Sequence, residues 1–319
     1  MVIEKAMKKL LLYVFILLIL PANADTLKVR IWSGFPPGGG TDRVVREIQR
    51  QILEHSNAEV VVEYATGAAG VIALRKLASL EKTANIELLV DGSNQLLTKY
   101  VSNTNDVDLS KDIKIVTPIG NTQMVVVASV QSQIYTIKDL SLRKDITYGS
   151  AGAGSVTYST TAYLGYILGL SNNFTNVSYK GTSAFYVDLF SGRIDIASDY
   201  LMSAVPYIIE GKLNGLAVTG KTRSLLLPTV PTLREQGILN FPLVPWFGIF
   251  SNKNISDSQL LTIRKILAKS FSQAESVKRF KDLGIEVISS SETFNSEQWY
   301  NAEQLQYKTF NQLKIVDKN

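Results

Sequence analysis

Twice in this chain a glycine-rich loop stands directly between a β-branched run and a helical pattern: Phe35-Pro36-Pro37-Gly38-Gly39-Gly40-Thr41-Asp42 and Tyr148-Gly149-Ser150-Ala151-Gly152-Ala153-Gly154-Ser155. Strand, turn and helix in that order build parallel sheets, with their loops gathered at the carboxyl ends of the strands. The first unit reads as a strand from Leu27 to Ile31, then a helix from about Thr41 to Glu54 with Val45, Ile48 and Ile52 on one face. Val60 to Glu63 is a second strand, Gly70 to Leu80 a helix, and Glu87 to Val90 a third strand, so the opening third predicts a parallel βαβαβ sheet.

The alternation continues. Strands are expected at Ile115–Ile119, Met124–Ala128, Ile146–Tyr148, Val177–Tyr179, Ile194–Ala197, Leu216–Thr219 and Gly248–Phe250. Helices fit Ser155–Leu168, Ala184–Ser191, Val205–Glu210, Asp257–Ser270 and Glu297–Leu313. Pro228, Pro231, Pro242 and Pro245 mark an irregular passage that reads as a return crossing between domains. A length of 319 residues favours two domains over one, and 45% apolar residues suffice for their cores.

The amino terminus carries an export signal. Lys5, Lys8 and Lys9 precede an apolar run from Leu10 to Leu20, and Ala22-Asn23-Ala24 supplies the small residues of a cleavage site. The run is too short for the roughly 20 residues of a membrane-spanning helix. Residues 1–24 are therefore expected to be removed, leaving a chain that begins at Asp25. With no cysteine, that chain can form no disulfide and offers no site for a lipid anchor, which agrees with a periplasmic address. It keeps 30 basic against 27 acidic side chains, with the basic ones scattered singly. Nothing in that pattern suggests a nucleic-acid partner.

Both loops suit anion capture. Glycines let backbone amides approach a ligand, and a helix amino terminus presents unpaired N–H groups and partial positive charge. The Thr41 hydroxyl can donate a further hydrogen bond, while Asp42 either caps its helix or accepts from a ligand. A glycine turn closing onto a helix is the plainer reading of either loop alone. Two of them facing across a cleft favour binding. A P-loop lysine and a Gly-x-Gly-x-x-Gly fingerprint are both missing. Ser93-Asn94-Gln95 after the third strand can add polar contacts or simply form a turn. Lys180, beside Tyr179, either neutralises an anion or projects into solvent, and Asp199 either orients a ligand or caps the next helix.

Catalytic constellations are scarce. The single histidine, His55, ends a predicted helix among polar residues, where it reads as a helix-terminal cation. That leaves no Ser-His-Asp triad, no thiol nucleophile, no histidine-bearing metal cluster and no Gly-x-Ser-x-Gly elbow. No catalytic residue, metal or cofactor is expected.

Taken together, the two glycine loops, Tyr179-Lys180-Gly181, Gly211-Lys212-Leu213 with Leu216-Ala217-Val218-Thr219, Pro228-Thr229-Val230-Pro231-Thr232 and Trp246-Phe247-Gly248 resemble the periplasmic solute-binding proteins of the tripartite tricarboxylate transporter family, the Bug (Bordetella uptake gene) receptors. The resemblance implies a type II periplasmic-binding-protein fold: two α/β domains joined by two crossing segments, closing like a Venus flytrap on a small carboxylate. Residues 25–123 plus 246–319 would form one domain and 124–245 the other, crossing near Gln123 and Pro245. It places ligand contacts at Gly38, Gly39, Gly40, Thr41 and Asp42 from one domain and at Ser150, Gly152, Gly154 and Ser155 from the other. Ser93, Asn94, Tyr179, Lys180 and Asp199 join them as candidates by their positions after strands. A monomer partnering inner-membrane transporter subunits is expected. The alternatives are a receptor feeding a sensor kinase and a secreted α/β enzyme acting on a small acid. The chain departs from the family at Tyr64-Ala65-Thr66-Gly67, Thr182-Ser183-Ala184 and Ser198-Asp199-Tyr200-Leu201, so ligand identity is not inherited.

Overall fold

The computed structural model describes residues 26–102, 104–288 and 295–312, and the export segment with its cleavage position lies outside them. Two sheets organise the chain. The first contains β1 (Lys28–Ser33), β2 (Glu59–Tyr64), β3 (Ile86–Gly92), β4 (Ile113–Thr122), β10 (Trp246–Asn252) and β11 (Ile285–Val287), in the order β11-β4-β10-β3-β1-β2. The second contains β5 (Met124–Ser129), β6 (Ile146–Ser150), β7 (Phe174–Ser178), β8 (Ile196–Tyr200) and β9 (Leu213–Val218), in the order β7-β6-β8-β5-β9. β1 pairs in parallel with β2 and β3, as the opening third of the sequence predicts. β10 then inserts antiparallel between β3 and β4.

Periodicity explains the first helices. α1 (Gly40–His55) buries Val44, Val45, Ile48 and Ile52 as one stripe against the sheet. α2 (Val71–Ser79) does the same with Leu74 and Leu77. β3 is buried at all seven positions because strands flank it on both sides and helices cover its faces, which suits its Leu88-Leu89-Val90 run. The remaining helices are α3 (Ser93–Tyr100), α4 (Ile137–Leu140), α5 (Val156–Ile167), α6 (Thr182–Ser191), α7 (Leu201–Ile209), α8 (Asp257–Phe271), α9 (Ala274–Asp282) and α10 (Ser296–Gln312). No helix among the described residues is long and apolar enough to cross a membrane.

Several elements differ from the sequence reading. Ser93-Asn94-Gln95, read as a turn, opens α3, whose first turn buries polar side chains and so lacks an apolar stripe. The sequence reading has no counterpart for α9 or β11: only Ser276 and Phe280 are buried in α9, and β11 is three residues long. α7 begins at Leu201 and carries Pro206 within it, where the reading starts a helix at Val205.

The chain leaves the first sheet at Gln123 and returns over residues 219–245. The two passages are stitched together. Thr122 N donates to Pro245 O at 2.8 Å, Thr219 N to Met124 O at 2.9 Å, and Met124 N to Thr219 Oγ1 at 3.0 Å. Buried Tyr200 and Met202 from the second sheet's side pack into the first sheet's core, with Val156 beside them.

Candidate functional site

The first glycine loop leaves β1 at Ser33, whose hydroxyl donates to Phe35 O at 2.8 Å. Gly38 has φ +89°, a conformation other residues rarely adopt. Its N–H donates to Asp42 Oδ2 at 2.9 Å, while Tyr64 OH donates to Asp42 Oδ1 at 2.6 Å. The Asp42 carboxylate is thus taken up in fastening the loop, and Tyr64, one of the family departures, is its second fastener. Gly39 caps α1 without any side-chain hydrogen bond. The first-turn amides of α1 have no intrahelical acceptor, so this end keeps its capacity for an anion. Thr41 is buried there.

The second loop is built differently. Gly152 and Gly154 take φ +104° and +80°. Ala151 N donates to Thr157 Oγ1 at 2.9 Å, Gly152 N to Ser150 Oγ at 3.3 Å, and Ser155 Oγ accepts from Tyr158 N at 3.1 Å. Val156 N, at the start of α5, donates to Asn94 Oδ1 at 2.9 Å. Most of this loop's amides are therefore paired within the protein, the last of them by a side chain from the opposite sheet.

Asn94 in turn donates to Asp91 Oδ1 at 2.8 Å. Ser93 lies deeper: its hydroxyl oxygen accepts from Trp246 N at 2.9 Å and from Tyr307 OH at 2.7 Å, tying α3 to β10 and α10.

The loops meet around a cavity of about 10 Å³, room for roughly one water. Phe35, Pro36, Gly39, Gly40, Thr41 and Asn94 wall it from one side, and Ala151, Ser155, Thr157, Thr182 and Tyr200 from the other. Glycine permits the approach. A Cβ on Gly40 would stand 2.8 Å from Tyr200 Cδ2, one on Gly154 2.5 Å from Ser102 Oγ, and one on Gly181 2.5 Å from Pro36 Cδ.

Of the residues singled out in the sequence, Gly39, Gly40, Thr41, Asn94 and Ser155 are brought together at this cavity. Gly38, Asp42, Ser93, Ser150, Gly152 and Gly154 shape or support the walls without lining it. Tyr179 OH donates to Asp188 Oδ2 at 2.6 Å, and Lys180 is exposed. Asp199 is fully buried, accepting from Tyr200 N and Tyr186 OH at 2.8 Å each. Burial pushes its carboxyl up to about 6 against those bonds, and Asp91 is raised to about 6 for the same reason.

Phe35, Pro36, Ala151, Thr157, Thr182 and Tyr200 line the cavity without having been chosen from the sequence. Thr182 and Tyr200 stand in the segments that depart from the family pattern, which was the available signal. The Tyr200 hydroxyl is buried near Asn94 without completing a hydrogen bond to it. Among those residues no three His, Cys, Asp or Glu side chains gather to hold a metal.

Two α/β sheets joined by paired crossings, with glycine loops closing on one another between them, define a two-lobed solute-binding receptor. The chain belongs to the tripartite tricarboxylate transporter family of receptors (TctC), whose model matches residues 44–310. It is 26% identical over 278 residues to the UPF0065 protein in the tcbD-tcbE intergenic region of Pseudomonas sp. strain P51, covering 83% of this chain and 82% of that one. Its fold matches the periplasmic binding protein BugD with a TM-score of 0.82 at 24% identity, over 90% of this chain and 96% of that one. It also matches R. palustris Rpa4515 with adipate, TM-score 0.84 at 21% identity, over 92% and 98% of the two chains. Family membership makes this chain a periplasmic solute-binding receptor and not an enzyme.

Proposed function

We propose that the protein captures a small di- or tricarboxylate between residues 25–123 plus 246–319 and residues 124–245, closes upon it, and delivers it to inner-membrane transporter subunits. One observation carries this reading: the uncapped amino terminus of α1 and the hydroxyl-bearing start of α5 face each other across one cavity. A carboxylate there gains the partial positive charge and first-turn amides of α1, the Thr41 hydroxyl, and the hydroxyls of Ser155, Thr157, Thr182 and Tyr200.

The cavity's small volume fits lobes drawn together, so a solute enters by their separation and is enclosed by their return. A second anionic end needs only donors on the opposite wall. That Rpa4515 is seen with adipate supports the same ligand class here. The chain acts as a monomer after removal of residues 1–24 in this scheme. Titration calorimetry with C4 to C6 dicarboxylates, tricarboxylates, amino acids and aromatic acids tests it. Saturable heat with at least one dicarboxylate is expected, and folded protein that binds none of the panel sinks the reading.

A further inference from the structure

A second cavity, of about 520 Å³, shares no lining residue with the first. Its walls come from both crossings, through Gln123 and through Thr219, Leu243 and Val244, and from Glu286 on β11 and Glu303 on α10. The hydrogen bonds that stitch the crossings, with Thr122 Oγ1 donating to Gly284 O at 2.9 Å, hold this floor together.

Two acceptors in these walls lack a donor. Gln123 Oε1 and Glu303 Oε2 are both buried without a hydrogen-bond partner among the described residues. Burial pushes the Glu303 carboxyl up to about 7, opposed by the indole N–H of Trp246, which lies near this carboxylate without completing a hydrogen bond to it. The other ionisable groups about it are Lys221 from the returning crossing and Glu286 from β11, both exposed at the rim, and Tyr307 on its own helix. Phe241, Leu243 and Val244 supply an apolar side.

With the Glu303 carboxyl ionised, the group that best satisfies such a pair of acceptors is a cationic N–H donor, since a second carboxylate would then be repelled. We propose that the cavity at the crossings is a second ligand site, distinct from the carboxylate cleft, for a small organic monocation bearing an ammonium or amidinium head and a short apolar body. Glu303 and Gln123 receive the head, and Phe241, Leu243 and Val244 pack the body.

Calorimetry on the processed full chain with benzamidine and n-butylammonium, and with n-butyrate as the matched anion, tests the site at constant ionic strength. Saturable binding of at least one cation is expected, and n-butyrate does not compete with it. Glu303→Gln, nearly isosteric, weakens the cation at least tenfold while the affinity for whichever panel acid binds the cleft is unchanged. Benzamidine stays charged throughout, so its affinity in the unaltered protein rises about tenfold from pH 6 to pH 8 as the carboxyl ionises, and stays flat in Glu303→Gln. Val244→Phe, at a half-exposed wall position, fills the space and abolishes binding without touching the carboxylate. The proposal is overturned by absence of saturable cation binding up to about 10 mM, by equal affinity in Glu303→Gln, or by wild-type affinity in Val244→Phe. Absence of binding by every acid of the carboxylate panel strikes the cleft and leaves this site standing.

Discussion

Asn94 Oδ1 accepts a hydrogen bond from the backbone N–H of Val156 at 2.9 Å, joining the first turn of α3 on one sheet to the first turn of α5 on the other. The same side chain is held from behind by Asp91. An amide oxygen of the protein thus sits at a helix amino terminus, where an anion would also be favoured.

Asn94→Ala removes this bridge and leaves Val156 N–H without its acceptor. A lost buried hydrogen bond costs about 1–3 kcal/mol, enough to shift a two-state opening by one to two powers of ten. Small-angle scattering in the absence of solute should show a larger radius of gyration for the variant. An unchanged radius argues that the bridge does not hold the lobes together.

Gly40→Ala and Gly181→Ala separate closure from folding. Gly40 is helical and Gly181 is extended at φ 173°, so alanine adds no backbone strain at either, yet each new Cβ would press within 3 Å of the opposite lobe. Carboxylate affinity should fall at least tenfold while the melting temperature without solute changes little. Calorimetry and thermal scans check both, and a variant that binds as tightly as the parent contradicts a closed bound state.

Stability should depend on pH through Asp91 and Asp199. Both carboxyls are raised to about 6, above the roughly 3.9 of an unfolded aspartate. Between about pH 4 and 6 the folded chain holds protons that the unfolded chain has released. Their contribution to stability is therefore fully present below pH 4, declines as pH rises, and is flat above 6. Asp199→Asn should flatten that decline by up to roughly 1.4 kcal/mol per pH unit. Asp108, held down to about 2 by the Ser110 hydroxyl and amide, works in the opposite sense below pH 4. Melting curves at intervals from pH 4 to 8 compare the two proteins, and parallel profiles would contradict the assignment.

Arg279 is the clamp between α9 and α1. Its guanidinium donates to Glu47 and Glu54 on α1 and to Glu275 on its own helix. Glu47 is buried, so Arg279→Ala removes its close cation, leaving the Gln51 amide and a long contact to Arg50, and should cost about 2–4 kcal/mol in urea unfolding. Glu275→Ala, at an exposed partner, should cost under about 0.5 kcal/mol. Equal costs would show that the buried half of the network contributes little.

The legible parts of the fold are those with a local signature. β1, α1, β2, α2 and β3 follow from two periods of apolar spacing, and the loops between strand and helix announce themselves by glycine. α3 was hidden because its first turn spends Ser93, Asn94 and Gln95 on buried hydrogen bonds, the reverse of the apolar stripe by which helices are recognised. α9 was hidden because it buries so little.

At the cavity the same contrast holds residue by residue. The chain order places Gly39, Gly40 and Thr41 at a helix start whatever the rest of the molecule does. That Asp42 turns back to Gly38 and Tyr64, that Ser93 is claimed by Trp246 and Tyr307, and that Val156 finds Asn94 depends on partners distant in sequence. The sequence by itself determined the α/β class, the two strand–glycine–helix units and the receptor family, because each rests on local spacing and residue type. Only the tertiary structure decided which polar groups face the cavity. Each donor or acceptor has many possible partners along the chain, and packing one sheet's loops against the other's selects among them.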